Sequence, residues 1–220
     1  MGKFVSWSCI TYGREWCLPN LVKQFQAQDY KGKKELVILN DDPDVRYISD
    51  HPEIKIYNWD YRFGNIREKH NICKGLCDGE ILIPVDDDDL YKPWTTTMFV
   101  NEIGESPFVA CNGFWKDSQW HQSTVAGLYA CTAEFFKQMG GYAKWMVQYR
   151  KWEPEYDWVV HPQDFLLRVK DLDKCYKEFK VDAKTAFYTW TRTGDRSGWD
   201  TNNLDKYINK ERTPKTIKIG

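Results

Sequence analysis

Four aspartates in a row, Asp86 to Asp89, follow directly on the apolar run "ILIPV" at 81–85. Adjacent carboxylates repel, so each needs water, hydrogen-bond donors or a cation beside it. Carboxylate oxygens gathered at one point suit a hard divalent cation, which prefers oxygen ligands and keeps positions open for phosphate oxygens. A calcium-binding loop does not fit. Started at Asp86, it puts Tyr91 where its glycine must stand and Thr97 where its bidentate glutamate must stand. A solvated turn capping the next helix is the plainer alternative, but a cap uses one aspartate rather than four. Two other polar clusters close apolar stretches in the same manner: Thr11-Tyr12 in "TYGRE" and Asp41-Asp42 in "NDDPD".

The elements that must position these residues are legible in the first half of the chain. "KFVSWSCI" (3–10) is rich in strand formers and ends at a turn. "WCLPNLVKQFQAQ" (16–28) carries Leu18, Leu21, Val22 and Phe25 at helical spacing, and "ELVILN" (35–40) is a continuous apolar strand. "EIKIYNW" (53–59) predicts another strand. "NIREKHNICKGLC" (65–77) predicts a helix with Ile66, Ile72, Cys73, Leu76 and Cys77 inward. Apolar strands alternating with helices argue an α/β fold, with a mostly parallel central sheet covered on both faces by helices. Ligands of such sheets bind at the carboxyl ends of the strands, where all three polar clusters fall.

The second half is less regular. "FVACNGFW" (108–115), "GLYACT" (127–132) and "AFYTWT" (186–191) predict strands, and "AEFFKQM" (133–139) and "QDFLLRVK" (163–170) predict helices. The aromatic stretch 142–162 has no period, "RTGDRSGWDTNN" (192–203) reads as a mobile loop, and the basic C-terminus reads as a solvated tail. Nothing resembles a linker or a repeat, so a single domain over 1–220 is expected.

Bulk composition narrows the classes. With 31 Lys and Arg against 32 Asp and Glu in 220 residues, the net charge of −1 gives no argument for general nucleic-acid or membrane affinity. The apolar runs are too short to span a bilayer, and the N-terminus lacks a signal-peptide core. Met1-Gly2 with Ser6 opens as a myristoylation site would, but Ser6 lies in a predicted strand. The seven cysteines are odd in number and form no CxxC pair, so they read as packed, reduced thiols and imply a cytoplasmic protein.

"TYGR" (11–14), "ELVILNDDPD" (35–44), "GNIREKHNICKGLCDGEILIPVDDDDLYKP" (64–93), "GGY" (140–142) and "QDFLLRV" (163–169) resemble the ordered motifs of family 2 glycosyltransferases of the GT-A fold. The likeness runs over roughly residues 4–170, and the 64–93 block is its most specific part. It implies a Rossmann-like GT-A domain, a nucleotide-sugar donor of the UDP type, and Mn2+ or Mg2+ held by a D-x-D motif. Residues 1–93 would bind the donor; residues 94–220, with a C-terminal extension, would bind the acceptor. Thr11 and Asp41 would contact the base, Asp86 the ribose or metal, and Asp88 the metal, with Tyr12 a further nucleotide-sugar-binding residue. Arg14 and Asp87 fall among the donor-binding positions, Asp87 and Asp89 being either supporting or exposed.

The chain departs from the family pattern in places. His70 stands at the family's arginine, before the expected Asn71, and is a diphosphate contact or a structural histidine. "QD" (163–164) replaces an acidic pair and leaves Asp164 as the general base of an inverting transfer, with Glu153, Glu155 and Asp157 next in line. No histidine in 188–199 supplies a further metal ligand, and Arg192 and Arg196 would clamp the diphosphate instead. Trp145, Trp152 and Trp158 are candidates for an acceptor wall. The acceptor would be a glycan or another hydroxyl. Two alternatives remain at this level: a phage-type transferase acting on a modified base in DNA, and a non-catalytic carbohydrate- or nucleotide-binding module.

Overall fold

The computed structural model describes residues 2–116, 118–142, 165–166, 169–170, 172, 175–190 and 213–220, with the backbone alone at 125–127 and 190. Val5–Thr11 forms β1, Leu18–Gln26 α1, Lys34–Asn40 β2, Val45–Ile48 β3 and Ile54–Asn58 β4. Ile66–Gly75 is α2, Ile81–Asp86 β5, Leu90–Tyr91 β6 and Thr95–Ile103 α3. Phe108–Lys116 (β7) and Gln119–Thr132 (β8) follow, then Ala133–Gln138 (α4), Glu178–Lys180 (β9), Tyr188–Trp190 (β10) and Lys215–Lys218 (β11).

Among the described residues, nine strands make one sheet in the order β4-β2-β1-β5-β8-β7-β10-β6, with β9 on β7, while β3 and β11 pair separately. β4, β2, β1 and β5 run parallel. β1, β2 and β5 are buried along nearly their whole length because both faces are covered, which is why they read as unbroken apolar runs. α1 starts with Pro19 in its first turn and buries Leu18, Leu21, Val22 and Phe25, the four residues expected. With this pattern the chain is a single α/β domain.

Register does the positioning. Ile10 lies opposite Asp86, and Thr11 opposite Asn40. The ends of β1, β2 and β5 therefore stop at one level, and the polar residues after them share one edge.

Several expectations needed correction. α2 buries Lys69, His70, Cys73 and Lys74, whereas Ile66, Ile72, Leu76 and Cys77 are only half-buried. The helix turns its charged face inward because carboxylate, carbonyl and aromatic partners wait there, an outcome hydropathy does not encode. α3 was not expected: its three leading threonines are poor helix formers, yet Thr96 is held by Trp7 and Gln28. β8 is longer than "GLYACT" because it pairs with β7 through two register shifts, at one of which Gly113 has φ 136°. Within "AFYTWT", Tyr188–Trp190 is strand while Ala186 and Phe187 are not. The supposed C-terminal tail is β11, paired parallel to β3 from Lys215 opposite Val45 to Lys218 opposite Ile48. All seven cysteines are free thiols.

Candidate active site

The edge formed by β1, β2 and β5 is closed by two short turns. After Thr11 the chain reverses at Gly13, whose φ of 63° favours glycine, and brings Arg14 back over the end of β5. The Thr11 hydroxyl donates to Asp87 Oδ2 at 2.6 Å, and Arg14 Nη1 donates to Asp87 Oδ1 at 2.7 Å. The same Nη1 lies 2.9 Å from Asp88 Oδ2. One step along the sheet, Asp41 accepts from the Phe63 amide at 3.0 Å and from Lys69 Nζ, which also donates to the Thr11 carbonyl at 2.6 Å. Asp41 and Lys69 are each about 1% exposed, so this is a fully buried ion pair. Burial pushes the Lys69 amine down from its ordinary range, and the Asp41 charge opposes that shift.

The four aspartates divide by alternation. Asp87 and Asp89 point inward and are buried, Asp89 accepting from the Tyr188 hydroxyl at 2.5 Å. Asp86 is exposed and Asp88 half-buried, so these two face the open side of the edge. Solvent reaches Asp86, but protein crowds it, and that lost hydration, reinforced by the charges of Asp88 and Asp87, pushes its carboxyl up to about 6. Burial likewise raises Asp87, against the pull of Arg14 and the Thr11 hydroxyl. Asp87 and Asp89 thus brace the turn that presents Asp86 and Asp88.

α2 forms the back of the site, starting at Asn65, whose side chain caps the Arg67 amide. Asn71 clamps the backbone of Tyr142, donating to its carbonyl at 3.1 Å and accepting its amide at 2.9 Å. Gly141 (φ 65°) lies so close that a Cβ there would sit 2.7 Å from Asn71 Oδ1. His70 meets the Tyr142 ring edge-on, with centroids 5.5 Å apart, and Lys74 lies buried over the same ring at 4.6 Å. On the outer side of the site, the Arg62 guanidinium stacks 4.0 Å from the Tyr12 ring centroid.

No family model matches the sequence, and no curated protein matches it either. Solved structures do match in shape. S. aureus TarS 1-349 in complex with UDP-GlcNAc superposes over 88% of this chain and 60% of its own, at TM-score 0.62 and 16% identity. The mannosyltransferase PcManGT from Pyrobaculum calidifontis, in complex with GDP-Man and Mn2+, does so over 88% and 59%, at TM-score 0.61 and 16% identity. The fold is that of the GT-A glycosyltransferases. This chain spans about three fifths of the length of those two neighbours.

On this GT-A framework, Thr11, Arg14, Asp41, Asp86, Asp87 and Asp88 gather at one edge, with Tyr12 beside them under Arg62. His70 lies on α2 against Tyr142. Asp164, Arg192, Arg196, Glu153, Glu155, Asp157, Trp145, Trp152 and Trp158 lie outside the described residues. Among the described residues, no three His, Cys, Asp or Glu side chains converge into a ready-made metal cage, and no helix is long and apolar enough to cross a membrane.

Sequence reasoning missed Lys69, Lys74, Arg62 and Tyr188. A signal existed for the first two. Positions 69, 70, 73 and 74 share one helical face, and reading that face by charge rather than hydropathy would have marked it.

Proposed function

We propose that this chain is a metal-dependent glycosyltransferase, moving a sugar from a nucleoside-diphosphate sugar of the UDP type to a hydroxyl acceptor with inversion. The observation that carries the reading is the pair Asp86 and Asp88, left facing outward at the strand ends while Asp87 and Asp89 are turned in. An all-oxygen donor pair suits a hard cation such as Mn2+ or Mg2+, which uses one or two carboxylates plus substrate phosphates. When bound, such a cation neutralises the charge that grows on the departing diphosphate.

The residues of the chain then divide the remaining work. Asp86 and Asp88 hold the cation in a D-x-D arrangement. Thr11 and Asp41 frame the base, with Tyr12 among the donor-binding residues beside them and Asp41 paired with Lys69. Asp87 keeps Arg14 over the diphosphate position, where His70, Arg192 and Arg196 add donors. Asp164 takes the proton of the acceptor hydroxyl as the new bond forms. Residues 1–93 serve the donor and 94–220 the acceptor, a glycan or other hydroxyl. The neighbours' complexes with UDP-GlcNAc and with GDP-Man and Mn2+ support this class of donor.

The test is a panel of nucleotide sugars scored for Mn2+-dependent hydrolysis and for thermal stabilisation. A bound donor at about 100 times its Kd should add roughly 2.7 kcal/mol of stability. A panel in which no nucleotide sugar stabilises or is hydrolysed would overturn the reading.

A further inference from the structure

We propose that Arg14 is a stand-in cation for this site: it occupies Asp88 when the metal is absent and must release it when the metal binds. This rests on the assignment of Asp88 as a metal ligand under the function proposed above. Both contacts come from a single nitrogen, Nη1, at 2.7 Å from Asp87 and 2.9 Å from Asp88. The two carboxylates are unequal partners. Asp87 is buried and held from its other oxygen by the Thr11 hydroxyl, so its hydrogen bond with Arg14 anchors the guanidinium. Asp88 has a side chain 15% exposed and faces the open edge, so it is the end that can be exchanged.

Elementary electrostatics gives the arrangement a purpose. Adjacent aspartates at the end of a strand repel one another. A guanidinium shared by Asp87 and Asp88 relieves that repulsion. A divalent cation arriving at Asp88 meets a positive charge already in place, and the two repel at close range. Arg14 then keeps Asp87 and its remaining N–H groups become available to phosphate oxygens, which a guanidinium binds well. Arg14 therefore opposes the metal by itself and favours metal and diphosphate together. The site would be biased toward taking up the cation with its nucleotide rather than alone.

The prediction is a pair of effects of opposite sign. Mn2+ alone is titrated into the full chain and followed by the electron paramagnetic resonance of free Mn2+; UDP is then titrated calorimetrically at saturating Mn2+. Arg14→Gln and Arg14→Met should each bind Mn2+ alone more tightly, by roughly three- to tenfold for a partly exposed charge. Both should bind UDP with Mn2+ more weakly than the parent. Arg14→Lys, which keeps the charge, should bind Mn2+ alone as the parent does. Melting curves identify any variant that has lost its fold, and either neutral variant suffices for the comparison.

If the neutral variants bind Mn2+ alone no more tightly than the parent, or if none binds it, Arg14 is not a stand-in cation. Asp88→Asn separates the two levels of the argument. If it loses Mn2+ while the Arg14 variants match the parent, only the role of Arg14 falls. If it binds Mn2+ as the parent does, Asp88 is not a ligand and both readings fall.

Discussion

In the parallel part of the sheet, β4-β2-β1-β5, strands pair without a break in register from Val5 opposite Lys34 to Thr11 opposite Asn40. In the other part, β7 and β8 shift register twice within a few residues, and among the described residues β10 pairs at two positions with β6 and at two with β7. The first arrangement makes a level shelf on which Thr11, Asp41 and Asp86 end together. The second reaches that shelf through particular side chains: Tyr188 on Asp89, and Tyr142 in the grip of Asn71. Polar groups on the shelf are held by buried hydrogen bonds and a buried ion pair, whereas pairs at the rim, such as Lys218 with Asp50, lie in solvent. Changes to the shelf should therefore be costly and changes at the periphery mild.

The role proposed for Asp164 gives the largest expected effect. Asp164→Asn keeps the size and capping ability of the aspartate but not its basicity, so turnover should fall by roughly 10²–10⁴-fold with donor and metal binding nearly unchanged. Normal turnover in steady-state assays would rule out Asp164 as the base and move attention to Glu153, Glu155 and Asp157.

Within the shelf, Lys69→Met leaves Asp41 buried without its counter-charge. Breaking a buried pair from one side costs about 3–5 kcal/mol, which a urea midpoint should register. A loss below about 1 kcal/mol would mean that the shelf is not held by this pair. At the junction of the two parts, Gly141→Ala forces a left-handed residue with a Cβ and crowds Asn71. The expected loss is about 1–2 kcal/mol in the same measurement, and a neutral result would show that the Tyr142 turn is not tightly docked. Lys218→Ala removes an exposed ion pair with Asp50 at the edge of β11. It should shift stability by less than about 1 kcal/mol, and a larger loss would give the C-terminal strand a weight that surface electrostatics does not.

Much of the shelf was legible before any coordinates. A strand covered on both faces must be apolar throughout, so "ELVILN" and "ILIPV" declared themselves, and the polar residues after them marked the ligand edge. The inward face of α1 is legible for the same reason, since Leu18, Leu21, Val22 and Phe25 all pack into the apolar core. The inward face of α2 is not, because its burial is set by ion pairing, hydrogen bonds and aromatic contacts instead of by apolar periodicity. β11 was read as a tail because its stability depends on pairing with β3, far away in the sequence.

By itself, then, the amino-acid sequence determined the α/β alternation, the parallel strands and the position of four aspartates at the end of one of them. Only the tertiary structure decided which aspartates face outward. Asp87 is drawn in by Thr11 and Arg14 from the turn after β1, and Asp89 by Tyr188, which is 99 residues away. Local sequence sets backbone preference and hydropathy over a few residues. The orientation of a charged side chain is set by whichever donors the fold brings beside it, and here those donors come from separate strands.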